Sequence, residues 1–472
     1  MAVGMPAPGK SLKSVDKNKN LYFGERTMKC TLTVTVVMCV LAQHAHAAGF
    51  IDDSKAALKL RNFYINSDYR DSATPAQKAA NQSYQAEWGQ AFQLEFISGY
   101  TPGPVGFGVD ALGMLGVRLD SSAGKHGNPM GTNYGGIVFP SDGDHAVDDV
   151  SNLGLTGKAR ISRTELKLGT LVPKLPVIFS NDGRLLPQTW QGTQVTSADI
   201  KDLTLVGGQI DGVKGRNSSN NENMSIAGAN NAVTGRFSNK FIYAGADYKL
   251  TKALTLQYYY GNLKDFYKQN FLGLIHNWAI GPGVLTSDVR YFNSRSDGAN
   301  GHDPAYFTTG YYGGNTLKGE VDNNLFSGLF TYAVAGHTLG AGYEISEGKS
   351  DFPYLNQGDG PTTYTITEMQ VQKFVRAGEK SWQARYAFDF ATVGLPGATA
   401  GVVYVKGDDI DTVASSNSSE WERDITLAYV VQSGPFKGVG VMWKNARVRN
   451  NIPNARQQDE NRVIINYQLA LF

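Results

Sequence analysis

The sequence predicts an all-β fold, a transmembrane antiparallel β-barrel of about 18 strands. Long segments alternate apolar and polar residues with a period of two, which gives a strand one apolar and one polar face. Their lengths approach the roughly 9–11 residues that a tilted strand needs to cross a bilayer. The connections between these segments are alternately short and long, as in outer-membrane barrels.

The last 92 residues alternate in strand after strand, in Ser381–Phe390, Arg423–Gln432 and Arg462–Phe472. We take the last of these segments as the example. Its polar face would line a watery interior, and its apolar face would contact lipid. We expect the barrel-assembly machinery to recognise this strand, which ends on Phe472. The apolar face carries Val463, Ile465, Tyr467, Leu469 and Leu471.

The composition agrees with a barrel that has a polar interior. Hydrophobic residues make up 41% of the chain, which is low for a membrane protein, but every second strand residue of such a barrel faces water. The 24 Tyr and 22 Phe suit the aromatic girdles found at both membrane interfaces. The sequence has no run of 18 apolar residues, so a helical span is not predicted.

The chain is expected to begin with a removable leader. The apolar stretch Thr31–Ala42 follows Lys29 and precedes a small-residue site that ends at Ala47. This order predicts a secretory signal peptide, with a cytoplasmic amphipathic helix as the alternative. Residues 1–47 are therefore expected to be an upstream extension plus a cleaved signal, and residues 48–472 a single barrel.

Removing the leader changes what the composition allows. Both cysteines, Cys30 and Cys39, lie in the leader, and the remaining chain has 38 basic and 40 acidic residues, a net charge of −2. A nucleic-acid partner therefore has no support. Without cysteine, a disulfide scaffold and a thiolate metal site are excluded. The five remaining histidines show no paired spacing, so we expect no metal and no cofactor.

Eighteen strands are predicted in chain order, an even number as a closed antiparallel barrel requires. A soluble β-sandwich is the alternative, but it would rarely contain so many long strands. The first nine are Leu58–Asn66, Gln90–Ser98, Phe107–Leu119, Gly154–Ser162, Thr164–Thr170, Leu203–Gln209, Phe241–Lys249, Leu254–Leu263 and Tyr267–Leu274. The last nine are Val284–Ser294, Leu325–Ala333, Thr338–Glu347, Thr365–Val371, Ser381–Phe390, Ala398–Lys406, Arg423–Gln432, Gly438–Arg449 and Arg462–Phe472. The predicted long loops are 70–87, 121–149, 212–240, 295–323, 349–364 and 408–420.

Short motifs run through almost all of the chain after the leader. They are Gly49–Ser54, Leu60–Tyr64, Ser98–Gly103 with Val105–Ala111, Arg184–Thr189, Gly378–Tyr386 and Tyr429–Pro435. Together and in this order, they resemble the OprD-type outer-membrane porins, also called outer-membrane carboxylate channels, of Pseudomonas-like bacteria.

The resemblance implies an 18-stranded monomeric pore in the Gram-negative outer membrane, narrowed by an inward-folded third loop. It further implies passive, selective uptake of small and mostly anionic nutrients. The expected partners are small anionic solutes, outer-membrane lipid and lipopolysaccharide, and the chain is expected to be a monomer or a weak trimer. It is not expected to be an enzyme, because no Ser/His/Asp constellation stands out; a barrel enzyme or an adhesin is the alternative from another class.

Strand parity places several basic side chains on the inward face. Fixed cations on a low-dielectric wall focus their field into the lumen and would guide carboxylates. Parity changes near Arg163, which predicts a β-bulge there. For each cation, an ion pair with a neighbouring carboxylate is the alternative. The inward candidates are Arg160, Arg290, Arg385 and Lys444.

The segment Ser180–Gly192 matches the family's constriction-loop signature. Its Asn-Asp-Gly sequence favours a turn, and Arg184 is the candidate cation at the narrowing. A structural arginine that anchors the loop to the wall is the alternative. The constriction residues are Ser180, Asn181, Asp182, Gly183 and Arg184.

Lys373 bears on the choice of solute. It precedes the motif Gly378–Tyr386. At this position before the motif, the branch of the family that transports basic amino acids and carbapenems carries an acidic residue. A lysine here would repel cationic ligands, which favours a monocyclic or aromatic carboxylate as the solute. A channel for basic amino acids, small peptides and carbapenems is the alternative.

Overall fold

The computed structural model describes residues 49–70, 84–122, 124–126, 136–143, 145–226, 235–302, 320–356, 362–412, 415–453 and 455–472. The predicted leader, residues 1–47, lies outside the described residues.

In this part of the chain, eighteen antiparallel strands form one sheet, and each strand pairs with its neighbours in sequence. The first nine are β1 (Lys55–Tyr69), β2 (Tyr84–Ile97), β3 (Gly106–Asp120), β4 (Asp149–Ile161), β5 (Thr164–Leu171), β6 (Thr189–Ser197), β7 (Leu203–Lys214), β8 (Phe241–Lys249) and β9 (Leu254–Leu263). The others are β10 (Tyr267–Ile280), β11 (Gly283–Ser296), β12 (Asp322–Val334), β13 (His337–Gly348), β14 (Lys380–Asp389), β15 (Ala398–Thr412), β16 (Ser415–Val430), β17 (Gly440–Asn450) and β18 (Gln458–Ala470).

The sheet closes on itself through β1, which pairs with β2 on one side and with β18 on the other. Ala57 lies opposite Ala470 and Tyr69 lies opposite Gln458. Closure pairs the edges that would otherwise stay open, which is what a β-protein in a membrane requires. The predicted all-β barrel of 18 strands is confirmed.

No helix among the described residues is long and apolar enough to span a membrane.

The apolar faces of the strands point outward. Leu153 on β4 is 65% exposed and Leu427 on β16 is 48% exposed, whereas a β-sandwich would bury such side chains against a second sheet. The sandwich alternative is therefore wrong. The same outward faces carry many tyrosines and tryptophans, such as Tyr258 and Trp382.

The interior is less polar than predicted, because two apolar clusters fill part of it. Loop L3 (172–188) and loop L7 (349–379) fold inward from the end of the barrel that carries the long connections. In the larger cluster, Phe352 of L7 packs on Phe292 of β11 with ring centroids 5.0 Å apart. In the smaller one, Leu185 of L3 packs with Phe63 of β1 and Phe139 of loop L2 (121–148). The long-loop end faces the outside of the cell in such barrels.

Two errors in the predicted strands cancel in the count. The segment Thr365–Val371 was predicted as a strand, but it is part of loop L7. The strand β6, residues Thr189–Ser197, was not predicted.

Two predicted connections also differ. Instead of a bulge near Arg163, Ser162 and Arg163 form a tight turn between β4 and β5, with Ser162 at a φ of 53°. The predicted long loop 408–420 lies almost entirely in β15 and β16, which pair as far as Thr412 and Ser415. The two strands continue beyond the membrane here. Their residues in this part are polar, and because of this polar composition the segment was predicted as a loop.

Candidate functional site

The tip of loop L3 is held against the wall by Arg61 of β1. The Arg61 guanidinium forms an ion pair with Asp182 at 2.8 Å and donates to the Arg184 carbonyl at 2.7 Å. At the tip, the side chain of Asn181 accepts a hydrogen bond from the Gly183 N–H at 2.8 Å, which is a local asparagine turn. The tip is therefore fixed both by its own turn and by the barrel.

The side chain of Arg184 lies between loops L3 and L2. Its guanidinium donates to the Ile137 carbonyl of L2. Burial, together with the nearby charge of Arg462, lowers the pKa of Arg184 to about 10, so the side chain stays charged at neutral pH. This geometry is that of a structural arginine that anchors the loop, which was the alternative given above. That Arg184 also attracts solutes stays a prediction.

Loop L7 is a second inward-folded loop, which the sequence did not reveal. Its backbone is held by carboxylates of the wall. The N–H groups of Val371 and Gln372 donate to Glu422 of β16 at 2.9 and 2.7 Å. The Gln370 N–H donates to Asp424 of the same strand at 3.0 Å. These carboxylates therefore use their lone pairs to position the loop.

Arg462 of β18 joins the two inward loops. Its guanidinium donates to the Gly183 carbonyl of L3 at 3.2 Å and to the Gln370 carbonyl of L7 at 2.9 Å. It also forms an ion pair with Glu460 at 2.7 Å. One side chain thus connects the wall, L3 and L7 at the narrowing.

Two predicted cations lie on the inward face near these loops without a carboxylate partner. Lys444 of β17 is next to Arg462 in the strand register, and within the described residues its ammonium makes no hydrogen bond or ion pair. Arg385 of β14 donates to the side-chain oxygen of Gln383 and to the Ile366 carbonyl of L7. Both acceptors of Arg385 are neutral, so neither Arg385 nor Lys444 forms an ion pair with a carboxylate in the described part of the chain.

The other predicted cations are more strongly engaged. Arg290 of β11 forms an ion pair with Asp288 at 2.6 Å and stacks on the Tyr364 ring. Arg160 of β4 lies 4.1 Å from the centre of the Tyr100 ring, toward the end of the barrel with short turns.

Lys373 does not present the free charge that the sequence suggested. It is buried, with 7% of its surface exposed, and it forms an ion pair with Glu368 of the same loop at 3.0 Å. Its charge is therefore largely neutralised, and the expected repulsion of cationic solutes has no structural basis at this residue.

Several residues of the narrowing were missed. Parity could have placed Arg61 and Arg462 inward, because each alternates with apolar residues on its strand. The alternation likewise places the carboxylates Glu422 and Asp424 on the inward face of β16, but nothing in the sequence indicates that they bind the backbone of a loop.

Comparison with known proteins agrees with this architecture. Residues 48–471 match a family described as outer membrane porin, OprD family. The chain belongs to the OprD family. It is an outer-membrane porin of the Gram-negative type, and its family consists of channels for small solutes.

Three relatives of this OprD-family chain illustrate the match. The crystal structure of OccK8 (OprE) from Pseudomonas aeruginosa is 56% identical and has a TM-score of 0.80, with 90% of this chain and 100% of that chain covered. OpdK from the same organism, whose structure was determined with vanillate, is 34% identical with a TM-score of 0.77, and 89% of this chain and 100% of that chain are covered. The porin-like protein GalP of Pseudomonas putida is 36% identical over 447 residues, with 94% of this chain and 99% of that protein covered.

Proposed function

We propose that this porin passes small carboxylate-bearing solutes, monocyclic or aromatic acids among them, passively across the outer membrane. The observation that carries the proposal is the state of the charges at the narrowing. Lys444 and Arg385 form no ion pair with a carboxylate within the described residues, while Glu422 accepts the Val371 and Gln372 N–H groups of L7 and one oxygen of Asp424 accepts the Gln370 N–H. A solute therefore meets positive charge.

The chemistry of the two cations suits transport as opposed to tight binding. A guanidinium can hold a carboxylate through two parallel hydrogen bonds, and an ammonium attracts it as a point charge. The Arg385 guanidinium already donates hydrogen bonds to two neutral oxygens. A solute carboxylate would have to displace these two oxygens, so we expect it to bind weakly. Weak binding at successive sites is what conduction requires.

The aromatic part of the proposal rests on the relatives and on the interior surface. The structure of OpdK was determined with vanillate, an aromatic carboxylate. In this chain the aromatic ring of Tyr364 in L7 lies beside Arg290, 4.1 Å from the guanidinium, so apolar and cationic surfaces occur together inside the barrel.

The deciding experiment measures the reversal potential of the purified, refolded porin in a planar bilayer under a KCl gradient. Replacing Lys444 or Arg385 by Gln should lower the anion-to-cation permeability ratio by up to about 30-fold, because a unit positive charge about 4 Å from an ion in water attracts the anion by about 1 kcal/mol and repels the cation by as much. Arg449→Gln is the control, since Arg449 of β17 lies on the outward face in an ion pair with Asp459.

Liposome swelling then compares benzoate with arginine as solutes. We expect faster swelling with benzoate in the wild type, and a smaller difference in Lys444→Glu. Faster entry of arginine into wild-type liposomes would contradict the proposal and favour the channel for basic amino acids.

A further inference from the structure

Two arginines lie side by side on the outward face of the barrel. Arg423 of β16 and Arg447 of β17 are opposite each other in the strand register, so their Cα atoms are about 5 Å apart. They alternate with the inward-facing Asp424 and Ala446. Arg447 lies on the half of β17 nearer the long loops, and Arg423 lies opposite it near the middle of the longer strand β16.

Neither arginine forms an ion pair within the described residues, since Asp459, which lies opposite Arg447 in register on β18, pairs with Arg449 and Arg70 instead. The Arg447 side chain is exposed and makes no hydrogen bond or ion pair within the described residues. Arg423 donates to the Asn445 side chain, and its Nε is buried without a hydrogen-bond partner. By contrast, Arg449 on the same face forms an ion pair with Asp459 at 2.7 Å. A cation on a lipid-facing surface is costly unless an anion accompanies it.

The surface on the membrane side of the two arginines is apolar. Leu427 and Trp443 are paired in register and are 48% and 37% exposed. Val441 and Tyr429, which are also paired, continue this surface. From Arg447 to Val441 the chain runs about 20 Å along the strand, which at the usual tilt of about 35–45° is about 15 Å along the membrane normal, more than half of the roughly 25 Å apolar band of such barrels.

A row of amides marks the level at which the polar surface begins. Asn445 donates to Asn461 at 3.0 Å, and Asn461 donates to Asn66 at 3.3 Å. This row runs sideways from Arg423 across β17 and β18 to β1. Cations and hydrogen-bonding groups therefore share one level, and apolar side chains lie below it.

We propose that Arg423 and Arg447 bind a phosphate of the lipid A part of lipopolysaccharide, while its acyl chains lie on Leu427 and Trp443. Two adjacent guanidinium groups can present parallel N–H donors to phosphate oxygens, the geometry in which arginine binds phosphate best. The outer leaflet supplies such a phosphate next to acyl chains. The inference is independent of the proposed solute.

The test titrates the full-length porin in a neutral detergent with diphosphoryl lipid A and measures the Kd by native mass spectrometry. The double variant Arg423→Gln with Arg447→Gln should bind about tenfold more weakly or worse, since two charge-assisted contacts are lost. Arg449→Gln, on the same face but already paired, should bind as the wild type does. Heat modifiability on a gel establishes that each variant is folded; should the double variant not fold, Arg447→Gln alone serves, because Arg447 has no partner to lose.

Titrations with three other ligands identify the source of the phosphate. Dephosphorylated lipid A, phosphatidylglycerol and inorganic phosphate should each bind the wild type more weakly than diphosphoryl lipid A. The proposal is overturned if any of the three binds equally well, or if the double variant retains the wild-type Kd.

Discussion

At the scale of single residues, Gly407 shows how closely loop L7 approaches the wall. A Cβ at this position of β15 would overlap the carboxylate of Glu379, which is buried at the base of L7 and accepts the Arg376 N–H at 3.0 Å. We expect Gly407→Ala to destabilise the protein by about 1–3 kcal/mol, as overpacking does. The apparent thermal midpoint in detergent measures this effect.

Gly401 of the same strand is the matched control. A Cβ added at Gly401 would lie 3.7 Å from the Tyr386 carbonyl oxygen and 3.9 Å from the Ala387 Cβ, which are ordinary contact distances. Gly401→Ala should therefore keep the wild-type midpoint, and equal midpoints for the two variants would refute the close approach at Gly407.

Asp351 makes the base of L7 sensitive to pH. It accepts the Ala377 N–H at 2.9 Å, and burial raises the pKa of Asp351 to about 6 against the opposing effects of this bond and of Arg376. In an unfolded chain the pKa of an aspartate is about 3.9. Between these values the folded state takes up a proton that the unfolded state does not, so folding becomes more favourable as the pH falls through 6. Burial also raises the pKa of Glu379, with the same sign.

We therefore expect the apparent thermal midpoint to rise as the pH is lowered from about 7.5 to about 5. In Asp351→Asn the midpoint should rise less over the same range. The asparagine keeps an oxygen for the Ala377 N–H but cannot titrate. Asp408→Asn, in an exposed pair with Lys406, should respond to pH as the wild type does. An unaltered pH response in Asp351→Asn would be evidence against the raised pKa.

For the candidate site, strand parity was informative and loop contacts were not. The alternation of Arg385 and Lys444 with apolar neighbours places both on the inward face, where the structure has them, although their part in conduction stays a prediction. The partners of Arg184 and Lys373 lie in loops, at the Ile137 carbonyl and at Glu368. No periodicity fixes which loop groups meet, so the sequence could not show that these two charges are already engaged.

At the scale of elements, the segment Thr365–Val371 explains why one strand was predicted wrongly. It alternates like a strand, but its backbone bonds to side chains of the wall, such as the Val371 N–H to Glu422 and the Ile366 carbonyl to Arg385. Strand β6 was missed for the opposite reason. Its outward face carries few apolar residues besides Val195, so it lacks the pattern although it is fully paired with β5 and β7.

Loop L3 offers a test of how a loop is held. In Arg61→Gln the partly exposed ion pair to Asp182, worth about 0–1 kcal/mol, and the hydrogen bond to the Arg184 carbonyl, worth about 1.5–3 kcal/mol, are lost. The tip should move more freely, and single-channel conductance and its noise should increase in a planar bilayer. Lys59→Gln changes the preceding basic residue on the same face, which pairs with Glu95 at 2.7 Å instead of with the loop. Identical conductance in the two variants would show that Arg61 does not hold the tip.

At the scale of the whole molecule, the barrel was predictable because lipid and the barrel interior impose opposite polarity on alternate residues over its length. The filling of the interior was not predictable, since large inward side chains such as Phe271 and Phe292 look like any apolar strand residue. These aromatic residues are buried in a cluster to which L3 and L7 contribute side chains such as Val177 and Phe352.

Phe472 separates the stability of the barrel from its assembly in cells. Its ring is 68% exposed and 6.5 Å from that of Phe96, and its carbonyl accepts the Ala56 N–H at 3.1 Å. Phe472→Ala keeps this backbone bond, so we expect its stability after refolding to be within about 0.5 kcal/mol of the wild type. Its amount in the outer membrane of cells should fall on our hypothesis that the barrel-assembly machinery recognises the strand that carries Phe472.

Immunoblots of outer-membrane fractions check this expectation, with Leu471→Ala as the control for losing an exposed apolar side chain. Wild-type amounts of Phe472→Ala in the membrane would count against recognition of the terminal ring.

Arg462 reaches both L3 and L7, and this has a consequence for the size of the passage. Arg462 is one of several groups that hold these two loops in the barrel, and the loops also meet where the ring of Phe179 in L3 lies 6.2 Å from that of Tyr364 in L7. Shortening the side chain at position 462 removes one hydrogen bond from each loop at once, whereas Arg61 holds only L3 and Glu422 holds only L7. An engineer who wanted this pore to admit bulkier compounds would therefore begin at position 462.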